Sequence, residues 1–140
     1  EAMGLGHAVL CSGSAVGDED FAVLLADDLI DGKLLPALEQ MRQVYHSYGC
    51  SVIAVERVPE NETHKYGIVE IETLKPGVHK ITGIVEKPKA GTAKSNLAVV
   101  GRYILTPRIY KLLETVEKGA GGEIQLTDAI AKLMQEQTGF

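Results

Sequence analysis

Asp27-Asp28 closes an apolar run at residues 21–26. In open α/β sheets ligands gather outside the carboxyl ends of strands. A carboxylate placed there can hold Mg2+ through one or two oxygens while phosphates complete its shell. The same pair also suits an ordinary strand-to-turn cap over the amides that follow. A second cluster, Glu86-Lys87-Pro88-Lys89, sets an acceptor beside a cation. Neighbouring strand residues face opposite sides, so a shared pocket requires a turn. With a turn, Glu86 reaches sugar hydroxyls and Lys87 a phosphate; without one, this is a solvated charged stretch. Pro88 disfavours helix at Lys87 and predicts an extended backbone there.

Several further positions read two ways. Gly4-Leu5-Gly6-His7 lets backbone approach a base or ribose closely, because glycine has no Cβ, yet His7 equally suits a polar helix start. Tyr66-Gly67 exposes backbone to a sugar ring or forms a turn, and Ser95-Asn96 is a turn or a ligand contact. Glu123, after Gly121-Gly122, accepts from hydroxyls or favours a helix N-terminus. Thr127 and Asp128 fall inside that helix, Asp128 as a surface or capping group. His46, His64 and His79 show no metal-ligand spacing, and no serine, cysteine or P-loop motif accompanies them. Covalent catalysis is not indicated.

These groups need a scaffold, and the apolar pattern supplies one. A short helix follows Gly6, and residues 12–20 are turn-rich. The unbroken apolar run 21–26 predicts a strand buried on both faces, as in a parallel sheet. From Leu34 to Tyr48, Leu34, Leu38, Met41, Tyr45 and Tyr48 recur at helical steps, with Gly49 as terminator. A strand at 51–55 completes a strand–helix–strand unit, for which a right-handed parallel crossover is the default. Extended stretches at 66–72 and 79–85, separated by Pro76-Gly77, predict a hairpin. A strand at 97–105 follows. Thr106 is the expected N-cap and Pro107 the first position of a helix burying Ile109, Leu112, Leu113 and Val116. Leu126, Ala129, Ile130 and Leu133 form the stripe of the last helix.

A chain of 140 residues with 45% hydrophobic and 24% charged residues holds one ordered core. Its formal net charge of -5 excludes a duplex nucleic-acid binder, which needs a basic face. Anionic ligands would need a local cation or metal. Cys11 and Cys50 form no zinc or disulfide pattern, which predicts a reduced, cytoplasmic setting. No run approaches the ~20 apolar residues of a membrane span, and no leader opens the chain.

Taken in order, Gly4-Leu5-Gly6-His7-Ala8, Leu25-Ala26-Asp27-Asp28, Tyr66-Gly67 and Val85-Glu86-Lys87-Pro88-Lys89 resemble the signature of the sugar-nucleotide pyrophosphorylases. Ser95-Asn96-Leu97-Ala98, Gly101-Arg102-Tyr103 and Gly122-Glu123-Ile124-Gln125-Leu126-Thr127-Asp128 extend the likeness across essentially the whole chain. The last stretch is most similar to the bacterial UTP–glucose-1-phosphate uridylyltransferases.

The resemblance implies a Rossmann-like α/β fold with a mixed, mainly parallel sheet. Residues 1–140 would be the central part of one nucleotidyltransferase domain, with a small antiparallel excursion around 64–88. It implies UTP and glucose 1-phosphate as substrates, UDP-glucose as product, Mg2+ as cofactor and a homo-oligomer, dimer or tetramer. Carried over by position, Gly4 lies against uracil and ribose, Asp27 holds Mg2+ and Asp28 is its neighbour in the pocket. Gly67 contacts the hexose through backbone, Glu86 accepts from sugar hydroxyls, Lys87 faces the sugar phosphate and Asn96 lies near the same sugar. Asp27 and Lys87 are the catalytic pair. Ala26 stands where relatives often carry proline, a mild change. The glycine–arginine–lysine triphosphate loop and a second metal aspartate of the pattern are not among these residues, so the 140-residue chain is expected to be inactive alone. A dTTP- or ATP-using relative, or a non-catalytic module of the same fold, is the alternative.

Overall fold

The computed structural model describes residues 3–136. The short helices α1 (Leu5–Cys11) and α2 (Gly13–Val16) lead into strand β1 (Phe21–Leu24). Helix α3 (Ala37–Tyr48) and strand β2 (Val52–Arg57) follow. A 3-10 turn (Glu60–Lys65) precedes the hairpin β3 (Gly67–Lys75) and β4 (Val78–Glu86). β5 (Leu97–Leu105), α4 (Arg108–Leu113) and α5 (Leu126–Glu136) complete the described residues.

β5 is the axis of the sheet. β2 pairs along one of its edges, from Val52↔Ile104 to Arg57↔Leu97. On the other edge β1 pairs with residues 102–105 and β3 with Leu97 and Ala98, which leaves residues 99–101 between the two strand ends. Every pairing among the described strands is antiparallel. The α/β class expected from the sequence is found, but not the parallel pairing. β1 and β2 do run in the same direction, as their crossover through α3 demands, since each is antiparallel to β5. What separates them is β5 itself, a strand that begins at Leu97, well after β2 ends at Arg57, and takes the place between them.

Helices cover both faces. α1, α4 and α5 close one side over Val69, Tyr103, Leu105, Ile109, Leu113 and Leu126. On the other side α3 places Met41 against Val52 and Ile104. Alternation along β5 divides the two layers, with Tyr103 and Leu105 facing one and Ile104 the other. Burying side chains of this size contributes about 1.5–3 kcal/mol each. The stripe read in the last helix is real: Leu126, Ala129, Ile130 and Leu133 are all buried.

Local expectations failed in five places. α4 stops at Leu113, so Val116 lies beyond it and is only partly buried. β1 is only half-buried, with Leu24 53% exposed, so its apolar run does not mark a strand enclosed on both faces. α3 begins at Ala37, because Pro36 keeps the preceding residue out of the helical region; Leu34 lies outside it, fully exposed. Gly49 does end α3, in the left-handed conformation at φ 65. Thr106 does not cap α4 with its hydroxyl, which is buried without a partner among the described residues; its carbonyl instead accepts from the Ile109 amide at 3.1 Å. Lys87 is not extended but left-handed, at φ 43.

Candidate active site

Two of the segments singled out in the sequence border the gap along β5 at residues 99–101: residues 25–28 at Gly101 and the Gly67–Glu86 pair beside Val99. β1 delivers residues 25–28 to its lower end, with the Leu25 amide donating to Gly101 O at 2.9 Å. From the opposite direction, β3 starts at Gly67 and β4 ends at Glu86, its cross-strand partner. Tyr103, one pleat along β5, feels both groups. Burial first, then the charges of Glu86 and Asp28, pushes its phenol up to about 12.

A cavity of about 170 Å³ opens on the Glu86 side, lined by residues including Tyr66, Gly67, Glu86, Tyr103 and Thr127. Glu86 is mostly buried, with 14% of its side chain exposed. Thr127 donates to its Oε2 at 2.8 Å, while Oε1 faces Lys87 Nζ at 3.9 Å. The backbone at Lys87 is left-handed and its amide donates to Tyr66 O at 3.0 Å, but Lys87 does not line the cavity that Glu86 lines. The Lys87 side chain is half-exposed. Gly67 has no room for a side chain, since a Cβ would lie 2.9 Å from Thr127 Cγ2 and 3.0 Å from Glu86 Oε2.

The two aspartates of the other cluster do different things. Asp28 Oδ2 accepts from the Gly101 amide at 2.7 Å. Arg102 Nη2 donates to Asp28 O at 2.5 Å, and Nη1 to Leu25 O at 2.7 Å. Asp27 is exposed and makes no hydrogen bond among the described residues. Among those residues no group of three or more His, Cys, Asp or Glu gathers to hold a metal unaided. One unengaged carboxylate suits Mg2+, which keeps several waters and takes phosphate oxygens as further ligands. The donor set therefore fits.

Gly4 lies at the start of α1, at φ 95, packed so closely that a Cβ would sit 2.7 Å from Glu123 Cβ and 2.9 Å from Ile124 O. Its neighbours tie the two segments, with Gly6 N donating to Ile124 O and Ile124 N to Met3 O. Asn96 is not brought into the Glu86 cavity. Its Oδ1 accepts from Arg57 at 3.1 Å, and it lines a separate space with Thr63 and Lys94. Sequence reasoning missed Thr127 and Tyr103 as members of the cavity. A hydroxyl within a helical stripe, and an aromatic within a strand, carry no local sign of a distant carboxylate.

Along one edge of β5 the end of β1 faces the start of β3 across residues 99–101, an α/β arrangement of the kind in which ligands gather at strand ends. The chain belongs to the nucleotidyl transferase family, whose model matches residues 1–139. It is 50% identical over 140 residues to the UTP–glucose-1-phosphate uridylyltransferase of Bacillus subtilis, covering 100% of this chain and 48% of that one. The Staphylococcus epidermidis protein of the same name is 48% identical over 137 residues, covering 98% and 47%. Among solved structures, a UDP-glucose pyrophosphorylase complexed with UDP-glucose matches with a TM-score of 0.95 at 43% identity, over 100% of this chain and 54% of that chain. A UTP-bound UGPase from Acinetobacter baumannii matches at 0.83 and 45%, over 100% and 49%. The chain spans about half the length of the curated relatives it matches. No helix of the described residues is long and apolar enough to cross a membrane.

Proposed function

We propose that the protein to which this chain belongs is a UTP–glucose-1-phosphate uridylyltransferase, forming UDP-glucose and pyrophosphate. The observation that carries the reading is that residues 25–28 and the Gly67–Glu86 pair both border the stretch of β5 between its pairings with β1 and β3, in a chain 48–50% identical to enzymes of that name.

A phosphate oxygen of glucose 1-phosphate attacks the α-phosphorus of UTP. The new P–O bond forms as the bond to the β-phosphate bridging oxygen breaks, and pyrophosphate leaves with that electron pair. The nucleophile is already ionised near neutral pH, so no general base is needed. What the protein supplies is alignment of two anions that repel, and positive charge where negative charge gathers. Lys87 meets the sugar phosphate, Glu86 accepts from a hexose hydroxyl, and the Gly67 backbone lies close to the ring. Gly4 offers backbone to the base and ribose. Mg2+, when bound, neutralises phosphate charge as a Lewis acid, and Asp27 is the side chain to hold it. The same reading makes the protein a cytoplasmic homo-oligomer, dimer or tetramer.

The test is pyrophosphate release by the full-length protein with glucose 1-phosphate and, in parallel, UTP, dTTP or ATP. UTP is expected to be the preferred donor, and a preference for dTTP or ATP overturns the assignment. Lys87→Ala is expected to slow turnover more than tenfold, about 1.4 kcal/mol of transition-state stabilisation. A near-normal rate removes Lys87 from the mechanism.

A further inference from the structure

Gly101 and Arg102 carry no part of the reaction described above, yet they hold both ends of the segment that presents Asp27. The guanidinium spans the segment. Nη1 donates to Leu25 O at 2.7 Å and to Gly101 O at 2.8 Å, and Nη2 to Asp28 O at 2.5 Å. Planar, rigid and always charged, an arginine fork can satisfy several carbonyls in one geometry where a lysine ammonium cannot. From the other side the Asp28 carboxylate accepts the Gly101 amide at 2.7 Å, and the Leu25 amide donates to Gly101 O at 2.9 Å. Gly101 is what lets them close. A Cβ there would lie 2.4 Å from Asp28 Oδ2 and 2.6 Å from Leu25 Cβ. Between the two tied residues, Asp27 itself makes no hydrogen bond among the described residues. Its carboxylate is left exposed.

We infer that Arg102 and the Asp28 carboxylate form a clamp that positions Asp27 for a divalent cation, and that Asp28 itself is not a ligand of that cation. The inference rests on the reading of Asp27 as the Mg2+ carboxylate. It divides the aspartate pair by role: one side chain is spent on the fold so that the other can be offered at a set place. Partners of a metal ligand commonly matter this much, and losing one typically lowers metal affinity about 10–100-fold.

Electrostatics gives the test a sign. Removing a cation near a metal carboxylate should by charge alone strengthen divalent binding. A clamp predicts the reverse. The experiment titrates Mn2+ into the full-length protein saturated with UDP-glucose, reading free Mn2+ by electron paramagnetic resonance. Arg102→Leu is expected to weaken Mn2+ about tenfold or more, and Asp28→Leu likewise. Asp28→Asn keeps an oxygen that can accept the Gly101 amide and is expected to retain most of the affinity. Unchanged or tighter Mn2+ binding in Arg102→Leu overturns the clamp. So does a loss in Asp28→Asn as large as that in Asp27→Asn, which would make Asp28 a ligand. If Arg102→Leu fails to fold, Arg102→Lys replaces it, with an intermediate loss expected and no loss overturning the proposal.

A metal-free readout separates this clamp from the reading beneath it. Hydrogen exchange at the Gly101 amide should quicken in Asp28→Leu and stay slow in Asp28→Asn, and no change in Asp28→Leu overturns the clamp. Were Asp27→Asn to leave Mn2+ affinity intact, the metal reading would fail, and the exchange result would still decide the clamp.

Discussion

Thr127 and Glu86, 41 positions apart in sequence, are joined by a 2.8 Å hydrogen bond from the threonine hydroxyl to the carboxylate Oε2. The bond ties the first turn of α5 to the last residue of β4. It leaves Glu86 one oxygen facing Lys87. On the proposed reading, a carboxylate fixed in this way would meet a hexose hydroxyl without first giving up rotamer freedom.

Thr127→Val keeps the shape of the side chain and deletes the donor. A hydrogen bond to a charged group contributes about 1.5–3 kcal/mol, so UDP-glucose affinity of the full-length protein should fall about tenfold or more. Thr127→Ser should restore it. Calorimetric titration of the two variants decides, and equal affinities would show that the bond has no part in binding.

Gly67→Ala should damage the same contact from below. Its methyl would press on Thr127 Cγ2 and Glu86 Oε2 at 2.9 and 3.0 Å. Overpacking of this kind costs about 1–3 kcal/mol, so thermal stability should drop together with ligand affinity. A variant as stable and as tight-binding as wild type would mean the space yields more easily than the contacts indicate.

Lys87→Gly separates stability from rate. The left-handed backbone at φ 43 costs a residue with a side chain about 1–2 kcal/mol. Glycine removes that strain and adds about 0.5–1 kcal/mol of unfolded-chain entropy. The variant should therefore be more stable by about 0.5 kcal/mol while losing turnover as Lys87→Ala does. Denaturant midpoints and rates measured on the two variants test both halves.

Tyr103 makes stability fall in alkali. Burial and two nearby carboxylates hold its folded phenol at about 12, against an ordinary value of 10.0. The neutral form is the one the fold favours. Its contribution is fully present below pH 10 and is lost as pH rises from there to about 12. The buried Cys50 thiol, raised by burial to about 11, acts in the same direction. Tyr103→Phe has no proton to lose, so its stability should decline less over that interval. Parallel denaturation of both proteins at pH 9 and 11 cancels the Cys50 contribution, and identical declines would count against the Tyr103 account.

Local patterns that depend on one face of one element were legible. The α5 stripe, the span of β5 and the Gly49 terminator all follow from periodicity or backbone preference within a dozen residues. The charged clusters were legible as candidates, because a carboxylate pair at a strand end and a Glu-Lys step are visible wherever they fall. Their separate duties were not. Asp27 and Asp28 look alike in sequence, and only the Gly101 amide tells them apart. The conformation of Lys87 was misjudged because the proline after it suggests extension, whereas the Tyr66 carbonyl and the end of β4 impose a turn.

By itself the sequence determined the α/β layering, the order of its elements and the residue types offered to a phosphorylated ligand. These are short-range matters, set by side-chain periodicity and by chemistry that does not depend on where a residue lies. Only the tertiary structure decided that β5 enters between β1 and β2, that every described strand pair is antiparallel, and that Thr127 and Tyr103 share a cavity with Glu86. Strand pairing joins residues far apart along the chain through backbone groups that all residues possess, so no local pattern can name the partner.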